Sequence, residues 1–218
     1  MTVEQIADRI KIYKQLNLKL FTSSSFQTHS TVLLHILSRI DNTIPVYFIN
    51  TGYHFPETLS YRDQITKLFG VNLINVFSST AKNTQRDANG RLLFASDPDL
   101  CCHLNKVTPL EPILAQYDVW INGVRGDQGD LRKNFKVEEK AKLGTIRFHP
   151  MLDWTGKMIY DYLREHKIPH HPLEEQGYFS IGCEPCTRKW DLNMDGRDGR
   201  WYGLKKTECG LNTELVVK

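Results

Sequence analysis

The sequence has no apolar run approaching the roughly 20 residues that a bilayer span requires, and residues 1–30 contain no signal-peptide core. The expectation is therefore a cytoplasmic protein with no membrane partner. Charge of one sign is scarce: 28 Lys and Arg against 25 Asp and Glu leave a net +3 over 218 residues. That is too little for a nucleic-acid footprint, although it allows a local basic site for a small anion. Internal repeats and low-complexity segments are absent. Cysteine is sparse at five residues, and an odd count in a chain of this kind argues against a disulfide framework and for metal binding plus a reactive thiol. What remains is ordinary: 40% apolar and 24% charged residues suit one α/β domain with a full core.

Hydrophobic periodicity gives the order of elements. Val3, Ile6, Ile10, Tyr13 and Leu16 fall at helical spacing within Met1–Asn17. Leu18–Thr22 reads as a buried strand, and a helix follows from Gln27 to Ile40. A second strand, Pro45–Asn50, precedes a helix opened by Pro56 and running to Phe69, and Val71–Phe77 is a third strand. Residues 79–100 are polar and weakly patterned, which predicts a helix fragment and a mobile loop. Asp118–Val124 and Thr145–Met151 read as further strands, the latter followed by a helix capped by Asp153 and ending near His166. This rhythm predicts a Rossmann-like parallel sheet with helices on both faces, in which ligands bind at the carboxyl ends of the strands. The polar turns at 23–30 and 50–58 fall there. From Gly177 the pattern gives way to glycine, charge and cysteine. Residues 1–176 are thus expected to be the α/β domain, and 177–218 a catalytic and metal-bearing tail of the same structural unit.

Four features carry chemistry. The serine-rich turn Ser23-Ser24-Ser25-Phe26, leading into a helix, places hydroxyls and backbone N–H groups around an anion; a capped helix without a ligand has the same sequence. Cys101-Cys102 and Cys183-Glu184-Pro185-Cys186 offer four thiolates for zinc or an iron–sulfur cluster. A zinc ion with Zn–S near ~2.3 Å draws its sulfurs close together, whereas adjacent side chains diverge. The set therefore favours separate corners of a larger cluster. Cys209 lies in a polar stretch where Lys205 and Lys206 are expected to favour its thiolate. Lys106, Arg125, Arg132, Arg197 and Arg200 are scattered cations which together suit a phosphate–sulfate anhydride.

Taken in order, SSSFQTHS (23–30), NTGYHFPET (50–58), CCHLNKVTPL (101–110), GVRGDQGDLR (123–132), GYFSIGCEPCTRKW (177–190), GRDGRW (196–201) and ECGLN (208–212) resemble the assimilatory adenylyl-sulfate and phosphoadenylyl-sulfate reductases. The resemblance implies an adenine nucleotide alpha hydrolase-like fold and thioredoxin-dependent reduction of adenosine 5'-phosphosulfate to sulfite and AMP. Cys209 would be the nucleophile, with Lys106, Arg197 and Arg200 beside it. The substrate would be bound by Ser23, Ser24, Ser25, Phe26, Asn50, Thr51, Gly52, Arg125, Gln128 and Arg132. A 4Fe–4S cluster would be held by Cys101, Cys102, Cys183 and Cys186. Thioredoxin or glutaredoxin is the implied thiol donor, and a homo-oligomer the expected assembly. The serine-rich loop resembles the type that uses the 3'-phosphorylated nucleotide, while the cluster cysteines favour adenylyl sulfate. A non-catalytic nucleotide-binding iron–sulfur sensor would share most of these residues. Two positions depart from the family pattern: Asn212 stands where histidine is usual, and Asn105 where arginine is common, which leaves the expected basic wall one charge weaker.

Overall fold

Side chains that alternate between two apolar faces fix the centre of the molecule. The computed structural model describes residues 1–194 and 197–216. Strands β1 (Leu20–Ser23), β2 (Val46–Asn50), β3 (Leu73–Phe77), β4 (Val119–Ile121), β5 (Glu138–Lys140) and β6 (Ile146–Phe148) form one sheet in the order β3-β2-β1-β4-β6-β5. All neighbours are parallel except β5, which pairs antiparallel with β6 at the edge. The helices are α1 (Val3–Gln15), α2 (Thr28–Ile40), α3 (Pro56–Phe69), α4 (Leu93–Ser96), α5 (Pro98–Cys102), α6 (Thr108–Leu114), α7 (Asp130–Lys133), α8 (Gly156–Glu165) and α9 (Gly210–Thr213).

Period-two alternation sorts the strand residues. Val46, Phe48, Val119 and Ile121 pack with Ile6 and Ile10 of α1, Val32 and Ile36 of α2, Ile65 of α3 and Ile159 of α8. Phe21, Tyr47, Ile49 and Trp120 point the other way, against Leu110, Ile113 and Leu114 of α6 and Leu215 of the tail. Each such side chain contributes about 1.5–3 kcal/mol by leaving water, so the sheet is buried on both faces as parallel sheets require. Helix ends are set locally. Thr2 and Gln5 form a reciprocal capping box on α1, and Gly70, at φ 64°, ends α3 in the left-handed conformation that glycine adopts without strain.

The structure differs from the sequence reading in several places. Thr155, not Asp153, caps α8: its hydroxyl accepts from Met158 N at 3.3 Å, while Asp153 pairs with the Met1 amino group. Residues 79–100 hold α4 and a turn closed by Asp87, whose carboxylate accepts from Asn89 N and Arg91 N at 2.9 Å each. Between Cys102 and Tyr117 the chain is helical, with a wide π turn at His103–Val107 running into α6. β5 was not anticipated at all.

Candidate active site

Chain order places a cleft at one point of the sheet. From β1 the chain proceeds outward through β2 and β3, then returns to lay β4 on the other side of β1. Loops leaving the carboxyl ends of β1 and β4 therefore diverge, and the crevice between them is where α/β sheets bind ligands. A cavity opens there, lined by Ser23, Ser24 and Ser25 after β1, by Asn122, Gly123 and Val124 after β4, and by Lys106, Arg132, Arg197, Arg200 and Cys209.

The serine loop is shaped by its own hydroxyls. Ser24 Oγ accepts from Phe26 N at 3.1 Å and donates to Ser30 Oγ at 3.1 Å. Trp120 Nε1 donates to Ser23 Oγ at 2.8 Å. Phe26 adopts φ 53°, a left-handed conformation for a non-glycine residue. It is held there by full burial and an edge contact with Phe48. Gln27 precedes α2 without a side-chain cap bond; its Oε1 instead accepts from Ile181 N at 3.0 Å, tying the tail to this loop.

Cys209 sits half-buried in this cavity, next to the cysteine set. A hydrogen bond with Cys102 is the largest influence on its thiol and pulls it well below the ordinary value; burial opposes this, and Lys106 lowers it further. Lys106 lies on the π turn. Burial alone disfavours its charge, but Cys183, Cys209 and Cys102 together raise it above the usual lysine value. Of the two lysines expected to act here, Lys205 is exposed, while buried Lys206 pairs with Asp99, lies over the Trp201 ring and interacts with Cys102 and Cys209. Glu208 accepts from Cys209 N at 2.7 Å. Burial pushes its carboxyl up, yet Arg132 and then Arg197 hold it at about 2. Burial also brings Arg197 down to about 10. Arg200 donates from Nε to Cys186 O at 3.2 Å and stacks on Trp201.

Cys101, Cys102, Cys183 and Cys186 are all buried free thiols around a second, smaller cavity that shares Lys106 and Arg200 with the first. His54 bridges to Cys183 and Glu184 N donates to Tyr53 O at 2.7 Å, docking the CxxC turn on the loop after β2. Among the described residues, no three His, Cys, Asp or Glu side chains converge on one point as a single metal ion demands. Four soft, buried donors spread around a common space suit a polynuclear cluster better than zinc. Burial raises the Cys101 thiol to about 11 and also raises Cys186.

The structure brings together Ser23, Ser24, Ser25, Lys106, Gln128, Arg132, Arg197, Arg200 and Cys209 in the large cavity. It places the other expected residues around it. Phe26 is a core residue under the loop. Arg125 turns to Asp127 and His29, at 2.9 and 3.0 Å. Asn50 accepts from Gly52 N at 3.0 Å, and these two shape the turn beyond β2. Thr51 lines the cysteine cavity, where its Oγ1 lies 3.3 Å from Cys183 Sγ. Asn105 also lines that cavity and not the large one. Sequence reasoning missed Asn122, Trp120 and Glu208. The first two lie inside or at the end of a strand that reads as plain core, and Glu208 was overshadowed by its cysteine neighbour.

A parallel sheet with a basic cleft at its switch point, and a thiol brought to that cleft by the tail, defines an α/β protein of the kind that binds nucleotides. The phosphoadenosine phosphosulfate reductase domain matches residues 19–189, and the chain belongs to that family. It is 39% identical over 182 residues to an adenosine 5'-phosphosulfate reductase of Rhodococcus erythropolis, covering 83% of this chain and 74% of that one. A Bacillus cytotoxicus protein of the same name is 36% identical over 204 residues, 93% and 87% of the two chains. In fold, the chain is similar to a phosphoadenylyl-sulfate reductase from Candida auris crystallised with phosphate. The TM-score is 0.64 at 23% identity, over 76% of this chain and 81% of that one.

Proposed function

We propose that this protein reduces adenosine 5'-phosphosulfate to sulfite and AMP in assimilatory sulfate reduction, through a covalent intermediate on Cys209. One observation carries the reading: the Cys209 thiol shares a single cleft with Lys106, Arg197 and Arg200. The Cys209 thiolate attacks the sulfonate sulfur, the S–O bond to the phosphate breaks, and AMP leaves with the electron pair. Lys106, Arg197 and Arg200 offset the charge that develops on the departing phosphate. The product on the enzyme is an S-sulfocysteine. A thiolate of thioredoxin or glutaredoxin then attacks the Cys209 sulfur and expels sulfite. Its second thiol resolves the mixed disulfide and restores Cys209, so the two electrons come from the dithiol. Such donors are kept reduced in the cytoplasm, where we place the enzyme; among the described residues no helix is long and apolar enough to cross a membrane.

Cys101, Cys102, Cys183 and Cys186 would hold a 4Fe–4S cluster, whose role would be structural or electrostatic, since the electrons come from the dithiol. The cysteine set and the names of the two bacterial relatives favour the unphosphorylated nucleotide over its 3'-phosphate form. The test is incubation with labelled adenosine 5'-phosphosulfate in the absence of reductant. Label should be trapped on the Cys209 peptide, and Cys209→Ser should abolish both label and sulfite. Binding without label would indicate a sensor, and sulfite from the serine variant would sink the mechanism. Parallel turnover of the two sulfonucleotides decides the substrate.

A further inference from the structure

The cations around the cavity have different partners. Every nitrogen of the Arg132 guanidinium is engaged: Nε donates to Glu208 Oε2 at 2.6 Å, Nη2 to Glu208 Oε1 at 2.9 Å, and Nη1 to Gln128 Oε1. Arg132 and Glu208 are each only 8% exposed, so this is a buried, two-pronged pair and not a surface contact. The same Glu208 Oε1 accepts from Cys209 N at 2.7 Å and from Asn212 Nδ2 at 3.3 Å, which ties both sides of the nucleophile to one carboxylate. Asn212 Oδ1 accepts in turn from Arg147 Nη2 at 2.8 Å. The Arg147 guanidinium is sandwiched between Trp120 and Phe135 on the sheet. Beyond them Leu215 is fully buried in the lower core. The tail around Cys209 is thus pinned to the sheet through Arg132 and Arg147.

Accepting the reductase reading above, we propose that Arg132 is a positioning residue: with Glu208 it latches the tail so that the Cys209 thiol faces the cavity, and it does not itself take the substrate's anhydride. With its Nε/Nη2 edge gripping a carboxylate, the guanidinium keeps at most two N–H groups for a second oxyanion, and its charge is already offset by Glu208. Breaking such a buried pair by removing one partner has a large effect, because the other charge is left unpaired.

The test uses full-length Glu208→Gln, Arg132→Met and the double variant, with two readouts. The first is the alkylation rate of Cys209 by N-ethylmaleimide, located by peptide mass. The second is the Kd for AMP by calorimetry. The latch predicts that alkylation speeds up about tenfold or more in either single variant and no further in the double, since both remove one interaction. Loss of Glu208 favours the thiolate and loss of Arg132 disfavours it, so acceleration in both reports access and not acidity. AMP affinity should stay within about twofold. If a single variant fails to fold, the double removes both halves of the main pair, with only Arg197 losing its longer contact to Glu208, and keeps the same expected outcome. Arg132→Met that weakens AMP binding about tenfold while Cys209 alkylation stays at the wild-type rate overturns the proposal. Neither readout needs the sulfonated enzyme, so a missing covalent adduct would refute the reductase reading alone.

Discussion

Arg200 owes its position to the smallness of Gly182. A methyl group at Gly182 would stand 2.5 Å from Arg200 Nη1, with Cζ and Nη2 closer still, whereas ordinary contact begins at 3.4 Å. The guanidinium must therefore retreat by roughly 1 Å, and a displacement of that size at a reacting centre costs about 100-fold in rate. Its stem is flexible and solvent is near, so the stability cost should be only about 1 kcal/mol, a drop of about 2–4 °C in Tm for a chain of this length. In Gly182→Ala, mass-resolved single-turnover labelling of Cys209 should slow about 100-fold while the visible absorbance of the protein is retained. That retention matters because Cys183 is adjacent. Labelling at the wild-type rate would mean that Arg200 needs no particular seat. A collapse of folding would mean that Gly182 serves the backbone instead.

Two further predictions follow from burial. His29 is brought to about 4 by burial and then by Arg125, and His149 to about 3 by burial and then by Arg147 and Arg132. Both are thus neutral in the fold and titrate near 6.5 when unfolded, so their contribution is full above about pH 6.5 and lost as pH falls toward those depressed values. Denaturant-melt stability should decline by up to about 1.4 kcal/mol per pH unit per histidine below pH 6. His149→Asn should flatten the slope measured against wild type; an unchanged slope refutes the assignment. Leu215→Ala, in the lower core, should cost about 2–5 kcal/mol in urea melts. A value near zero would show that the tail is not part of the cooperative fold.

The elements legible in the sequence were those whose burial pattern is long enough to count. PVYFIN and INGV read as strands because a parallel sheet buries both faces, and α1 to α3 show full helical periods. β5 is Glu138-Glu139-Lys140, three charged residues at an edge, where pairing with β6 supplies the order and no apolar alternation exists to detect. The helical run from His103 to Leu114 was hidden by Pro109 and Pro112, which normally end helices; a proline in the first turn and a wide π turn accommodate it. The cysteines and the serine loop stood out as chemical types. Glu208 and Arg147 did not, because a charged residue in sequence reads as surface until a partner is seen buried beside it.

The two departures from the family pattern obey one physical rule. Asn212 accepts from Arg147 through Oδ1 and donates to Glu208 through Nδ2, so the position needs a side chain that offers an acceptor to a cation and a donor to a carboxylate at once. A histidine can do this only while neutral, since the imidazolium has no lone pair left to accept with. An amide does so at every pH. Asn105 also donates and accepts at once, but to neutral partners: its Nδ2 donates to Gln85 Oε1 at 2.6 Å and to Cys101 O at 2.9 Å, and its Oδ1 accepts from Gln85 Nε2 at 3.0 Å. Both residues are almost fully buried, where an arginine would have to find a counter-charge that this pocket lacks in Gln85. The uncharged Gln85 and Asn105 therefore belong together, and the basic character of the site rests on Lys106 and Arg200, which line both cavities, together with Arg197.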